Sequence, residues 1–501
     1  MTSLASQSQP DQEHKTVRGI LWSYLSFIGG KGMTLLTTII LARLLLPEQF
    51  GLMGYCLIVI QYLDIINAAG MESALIARRD HIEEAANAAF IVNIILGILT
   101  FGTSWLISPS IAFFFHEEQI ITLLRVLALT LPISSLGMVP NALLQRDLRF
   151  RTKLIPDICR NIIKGGASII LALSGFGVWS LVLGQIIGVV TGVIVAWWVT
   201  GWKPTWNFHP GINRVIMLYG INILILDFAG VFSNNIDYLF VGRILGTTAL
   251  GYYSMAYRIP ELIIVSLNNV VGIVSFPALA KTQSDYQGMR AFYFSYIRYL
   301  SIIVFPIGVG LSLTTPFFIP LFFSSKWEPA IVPTALISSA MAIMAIGYVP
   351  GVLYKAINRP DILNYLALVK VPIMVVILFF ATRWGINGVA TSQIFIGIIL
   401  VTLDTIIANF IMKYQLIDLI KAIIPGSFAT IIMGGVLILI NKLFALEGLV
   451  GLILMIFFGF STYATTILLT NRETVKEGLA IFKSAFFAKA HPSNIEITVH
   501  D

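Results

Sequence analysis

Six cations lie within apolar stretches of this 501-residue chain: Lys31, Arg125, Arg160, Lys164, Arg258 and Lys370. Each costs roughly 2.5 to 3.5 kcal/mol at the centre of a membrane helix, so a cavity or a partner is expected to hold them. Asp157, Arg160, Asn161 and Lys164 are spaced i, i+3, i+4, i+7 and share one helical face. Two readings stay open for Asp157 and Arg160: a solvated helix end with an intrahelical pair, or part of a cavity wall. Lys164 stands one turn deeper. Arg258 and Glu261 flank Pro260, which removes a backbone hydrogen bond and can kink the helix. They are either the charges of a gate or a self-neutralising pair. Lys31 sits between Gly30 and Gly32, small neighbours that admit another helix or a ligand. Among the acids, Asp64, Asp227 and Asp404 share the apolar stretches; they either neutralise Lys31, Arg258 or Lys370, or bind a coupling proton or sodium ion. Such an excess of cations suits an anionic group such as phosphate or pyrophosphate better than a cationic molecule.

No catalytic set accompanies these charges. All six histidines (His14, His81, His116, His209, His491, His500) fall in tails or loops, which argues against a buried proton relay or a metal centre. The two cysteines, Cys56 and Cys159, fall within apolar stretches and suggest neither a disulfide framework nor a metal site. There is no Walker A sequence and no GxGxxG after a strand. The expectation is therefore a protein that is not an enzyme and needs no cofactor, drawing on a Na+ or H+ gradient, the membrane potential, or consumption of its product.

The elements that must position these residues are membrane helices. Hydrophobic residues make up 57% of the chain and charged ones 11%, against the roughly 25% charge of soluble domains. Stretches near the ~20 residues that cross a bilayer predict about fourteen helices, at 20–42, 50–69, 86–107, 120–143, 154–173, 177–199, 213–240, 250–276, 293–314, 330–352, 362–382, 386–411, 419–440 and 448–470. The pattern is also duplicated. ARLLLPEQFGLM from Ala42 answers to GRILGTTALGYY from Gly242, so Arg43, Leu45 and Gly51 recur as Arg243, Leu245 and Gly251. Ser73–Arg78 answers to Pro277–Lys281, GMVPNALL from Gly137 to GYVPGVLY from Gly347, and Gly177 with Gln185 to Gly385 with Gln393.

Two halves offset by six helices enter the membrane in the same orientation, an arrangement of secondary transporters. The resulting plan is a tail at 1–19, a first lobe at 20–205, a second at 206–415, helices 13 and 14 at 416–470 and a tail at 471–501. With the N-terminus inside, twenty-one of the 32 Lys and Arg residues fall on the cytoplasmic side, and five (Arg43, Arg243, Lys326, Arg383, Lys442) on the outer side. That asymmetry predicts both termini in the cytoplasm. The net charge of +7 follows from inside loops facing an anionic leaflet and gives no support for nucleic-acid binding. Arg43 and Arg243 read as snorkelling residues that fix helix depth, and Pro140 and Pro350 as kinks in helices 4 and 10.

FGLMGYCLIVIQYLDIINAAGMESALIARRD from Phe50 and NNIDYLFVGRILGTTALGYYSMAYRIPELI from Asn234 resemble the polysaccharide transporter family of lipid-linked oligosaccharide flippases. Within the multidrug/oligosaccharidyl-lipid/polysaccharide superfamily, the likeness is to exporters of colanic-acid and teichuronic-acid type. The resemblance implies an all-α integral membrane protein with two six-helix lobes in a V shape plus two extra helices. It implies translocation of an undecaprenyl-pyrophosphate-linked oligosaccharide across the bacterial plasma membrane by alternating access, among membrane lipids and other polysaccharide-assembly proteins. In the related lipid II flippases, cations of helices 1 and 8 face the cavity, and here those helices carry Lys31 and Arg258. The extra helices border a groove for the lipid tail in those proteins. Glu72 departs from the family pattern, which more often has a small or apolar residue there. Two alternatives stand beside this reading: a cation-coupled drug or metabolite exporter, in which Asp64 or Asp227 dominates, and a polysaccharide polymerase or ligase, against which the short loops weigh.

Overall fold

Where the chain is most apolar it is helical, as backbone groups in lipid must satisfy each other. The computed structural model describes residues 30–205, 228–268, 279, 285–473 and 476, apart from positions 31, 69, 79, 148, 229 and 360. Lys31 and Asp227 therefore lie outside the described residues. In chain order the helices are α1 (Gly32–Leu44), α2 (Pro47–Ala68), α3 (Met71–Ala77), α4 (Ile82–Phe115), α5 (Gln119–Leu127), α6 (Thr130–Arg146), α7 (Phe150–Leu173) and α8 (Val178–Thr200). After them come α9 (230–240), α10 (Thr247–Pro260), α11 (Tyr286–Phe323), α12 (Ile331–Ile346), α13 (Tyr348–Ala356), α14 (Asp361–Ala381), α15 (Gly385–Met412), α16 (Leu416–Phe444) and α17 (Gly448–Thr470).

Nine helical segments among the described residues are long and apolar enough to cross a membrane, and one of them, Asp361–Met412, is α14 and α15 end to end. Helix α7 has the length, 24 residues, but carries Asp157, Arg160 and Lys164 in its middle. Apolar side chains such as Leu106, Trp198 and Phe410 stand about four-fifths exposed on the outside. Only lipid makes such a surface stable. This is an all-α multi-pass membrane protein whose last two helices, α16 and α17, form a C-terminal pair.

Repeated sequence builds repeated turns. Gly177 and Gly385 both adopt positive φ (55° and 67°) where α8 and α15 begin, a conformation that favours glycine. The break expected at Pro350 falls just before it: the span bends at Gly347, and Pro350 occupies the first turn of α13, where a missing N–H is harmless. Its counterpart behaves differently. Helix α6 runs straight through Pro140, and the interruption lies earlier, between α5 and α6 ahead of Pro132. Near Pro260 the backbone widens into a π-helical turn, Glu261–Val265, a register shift common at functional sites.

The C-terminal pair clings to α11. Gly426 of α16 lies against the Ser301 backbone, Arg290 is ion-paired with Asp418, and the Tyr463 hydroxyl donates to the Ile302 carbonyl at 2.6 Å.

Candidate functional site

The two halves are sealed together at the end of the molecule that carries residues 43–47 and 243–247. A Cβ built on Gly51 would lie 1.9 Å from the Thr247 carbonyl oxygen, and one on Gly251 would lie 1.9 Å from that of Pro47. Only glycine permits that approach. The Arg43 guanidinium donates to the Phe322 and Leu321 carbonyls (2.8 and 2.5 Å) at the C-terminal end of α11. Arg243 reciprocates, donating to the Phe114 carbonyl at the end of α4 and lying beside His116. Helix C-termini present unpaired carbonyls and a partial negative charge, so a cation supplied by the other half serves as a cap. Beside the depth-fixing role expected of them, these two arginines latch the halves together.

Further bonds complete the seal. Trp327 and Lys326 donate to the Ala42 and Arg43 carbonyls (2.8 Å each), Tyr55 to the Gly242 carbonyl (2.9 Å), and Thr247 to Glu117 (3.0 Å). Beneath it, one apolar core is shared by both halves and includes Tyr55, Cys56, Val241, Leu250 and Tyr253.

Below the seal lies a cavity of about 620 Å³, lined by Asp64, Asn67 and Glu72 near the far end of α2, by Asn93, by Ser134 and Asn141 of α6, and by Val231 and Asn234 of α9. Asp64 is exposed to the cavity. Arg160, Lys164 and Arg258 form no ion pair among the described residues.

Helix α8 explains how α7 holds its cations. Gly184, Gly188 and Gly192 form a stripe on which α7 lies. A Cβ on Gly188 would be 2.6 Å from the Lys164 Cβ, and one on Gly192 3.3 Å from that of Arg160. The stems of both cations rest against the α8 backbone. Arg258 near the end of α10 and Glu261 in the π-helical turn after it are both exposed and form no ion pair with each other, so the self-neutralising reading is not what the geometry displays.

The remaining candidates separate. Lys370 and Asp404 pair with each other, with Nζ at 2.6 and 2.7 Å from the two carboxylate oxygens, joining α14 to α15. Their charge is consumed locally. Arg125 stacks on Trp105 (4.6 Å) and donates to Ser108.

A buried acid not anticipated from the sequence is Asp237, 4% exposed. Its Oδ2 accepts from the Tyr253 and Tyr257 hydroxyls at 2.8 Å each and from Gln393 at 3.2 Å, and its Oδ1 from the Tyr238 amide. Gathered donors of this kind can hold a buried carboxylate without a cation. The available signal was Gln393, a repeat position. Among the described residues no group of His, Cys, Asp and Glu could hold a metal ion.

The chain is similar to known proteins over most of its length. A family profile described as "Polysaccharide biosynthesis protein" matches residues 40–332. The chain is 25% identical to the lipopolysaccharide biosynthesis protein WzxC of Escherichia coli (strain K12) over 84% of each chain. It is also 25% identical to the teichuronic acid biosynthesis protein TuaB of Bacillus subtilis (strain 168), over 74% of this chain and 78% of that one. The fold is that of the lipid II flippase MurJ in an inward closed conformation, with a TM-score of 0.75 at 16% identity, covering 91% of this chain and all of that one.

Proposed function

We propose, from the premise that this chain belongs to the polysaccharide biosynthesis protein family, that it is a flippase moving a lipid-linked oligosaccharide across the plasma membrane. One observation carries the reading: a polar-walled cavity lies between α2, α4 and α6 of the first half and α9 of the second, in a molecule whose Arg160, Lys164 and Arg258 form no ion pair among the described residues. The names of its relatives, in lipopolysaccharide and teichuronic acid biosynthesis, and the likeness to a lipid II flippase support it.

In this reading the cations bind the pyrophosphate by charge-assisted hydrogen bonds, the polar wall takes sugars, and the polyprenyl chain stays in lipid. Lys31 is assigned the same role as Arg258 on sequence grounds. The excess of Lys and Arg in the opposite loops makes the sealed end the outer one and leaves both termini cytoplasmic. Substrate enters from the inner leaflet; the latches then release and the inner end closes. A Na+ or H+ gradient, the membrane potential, or polymerisation of the product drives the cycle, and no bond in the substrate is made or broken.

The test is the pool of lipid-linked oligosaccharide in a deletion strain, with sidedness probed by an impermeant sugar-modifying reagent. Repeats trapped on the cytoplasmic face, with surface polymer lost, are expected. An unchanged pool and normal polymer in a strain without a redundant flippase would overturn the reading.

A further inference from the structure

We infer that Asp64, Glu72, Asn93 and Asn141 form a sugar-binding subsite that accepts a neutral or amino sugar and rejects a uronic acid. This inference rests on the flippase reading above.

Asn93 is 1% exposed and lines the cavity, yet its Nδ2 has no hydrogen-bond partner among the described residues. Asn141 donates to the Gly137 carbonyl (2.9 Å), and its Oδ1 is likewise without a partner. A buried polar group left unpaired costs about 1–3 kcal/mol, a cost that a ligand hydroxyl would remove. Nearby Asn67 does not offer the same opportunity, because its amide already bonds the Leu131 carbonyl, Ser134 and Ser135.

The unpaired groups comprise one donor (Asn93 Nδ2) and one acceptor (Asn141 Oδ1). Asp64 and Glu72 add carboxylates, which only accept when ionised, and neither is ion-paired among the described residues. Hydroxyls donate and accept at once, so a sugar matches this set where a purely anionic or apolar group does not. On the flippase reading, the sugar that follows the pyrophosphate occupies this subsite. A sugar carboxylate would meet two carboxylates, a like-charge juxtaposition that disfavours it, while an ammonium group would be attracted. Glu72, the departure from the family pattern, gains a role here.

The experiment measures binding of short-chain polyprenyl pyrophosphate, bare or carrying glucose or glucuronic acid, to the full chain in nanodiscs. Wild type is expected to favour the glucose form by about tenfold, as like-charge contacts cost several kcal/mol before relaxation. Asp64→Asn with Glu72→Gln should tighten the glucuronic form and erase most of that gap. Asn93→Leu should weaken the glucose form and leave the bare pyrophosphate unchanged; the half-exposed Glu72→Gln alone provides a milder variant if Asn93→Leu misfolds. Equal binding of both sugars by wild type, or variants that change bare and glycosylated ligands alike, would overturn the subsite while leaving the flippase intact. Failure to bind any of the three ligands would overturn both.

Discussion

At the sealed end Gly51 rests on the Thr247 carbonyl and Gly251 on the Pro47 carbonyl, while Arg43 and Arg243 each cap the other half's long helix. Elsewhere in the two halves, by contrast, the duplication has vanished. The positions that correspond to Arg258, Tyr253, Tyr257 and Asp237 hold Ile58, Met53, Leu57 and Thr37, and Val231 stands where the first half has Lys31. Two homologous halves that meet face to face make a self-complementary contact, in which i touches j and j touches i. Such a contact keeps its symmetry because a change on one side must be matched on the other. A substrate with a phosphate at one end and sugars at the other has no twofold symmetry, so the walls that bind it diverge.

The comparison breaks most sharply at the glycines. Gly51→Val or Gly251→Val is expected to abolish closure and transport, because overpacking costs about 1–3 kcal/mol even where neighbours can yield, and here the neighbour is backbone. Labelling of the buried Cys56 by an impermeant maleimide, in a Cys159→Ser background, would rise in both variants. A strong effect of one glycine and none of the other would end the claim of a symmetric seal.

Next come the latches. Arg43→Ala and Arg243→Ala each remove charge-assisted hydrogen bonds worth about 1.5–3 kcal/mol, so each should shift the closed state by roughly ten- to a hundredfold, and by similar amounts. Distance distributions between spin labels on the two halves would read this.

The cavity should behave oppositely. Arg258→Ala or Lys164→Ala is expected to weaken binding of polyprenyl pyrophosphate by roughly tenfold per cation, within the range of hydrogen bonds to charged groups, with those distances unmoved. Movement of the seal in these variants would merge the two regions into one.

The smallest effect on transport is expected at Lys370 and Asp404. Removing either partner lowers melting temperature, since a stranded charge is costly, while Lys370→Met with Asp404→Leu should recover most of it and keep transport. Loss of transport in that folded double variant would return the pair to the cavity machinery.

Some of this site was legible in advance. The i, i+3, i+4, i+7 spacing put Arg160 and Lys164 on one face of α7, since 3.6 residues per turn requires it, and the repeated glycines marked positions where the halves touch. The partner of Lys370 could not be read, because Asp64, Asp227 and Asp404 were equivalent candidates until helix contacts chose among them. Asp237 escaped notice because its donors Tyr253, Tyr257 and Gln393 come from two other helices. Arg43 and Arg243 were read as depth markers because a carbonyl 279 residues away leaves no trace in local pattern.

The sequence by itself determined that the chain lives in a membrane, that it is built twice over in one orientation, and that its apolar stretches carry cations needing a partner or a cavity. These follow from composition and period, which act residue by residue along the chain. Tertiary structure alone decided that Lys370 is spent on Asp404, that the duplicated arginines latch the opposite half, and that Asn93 and Asn141 keep unpaired groups at the cavity wall. Those outcomes depend on distances of a few ångströms between helices far apart in sequence, and such distances are set only when the helices pack.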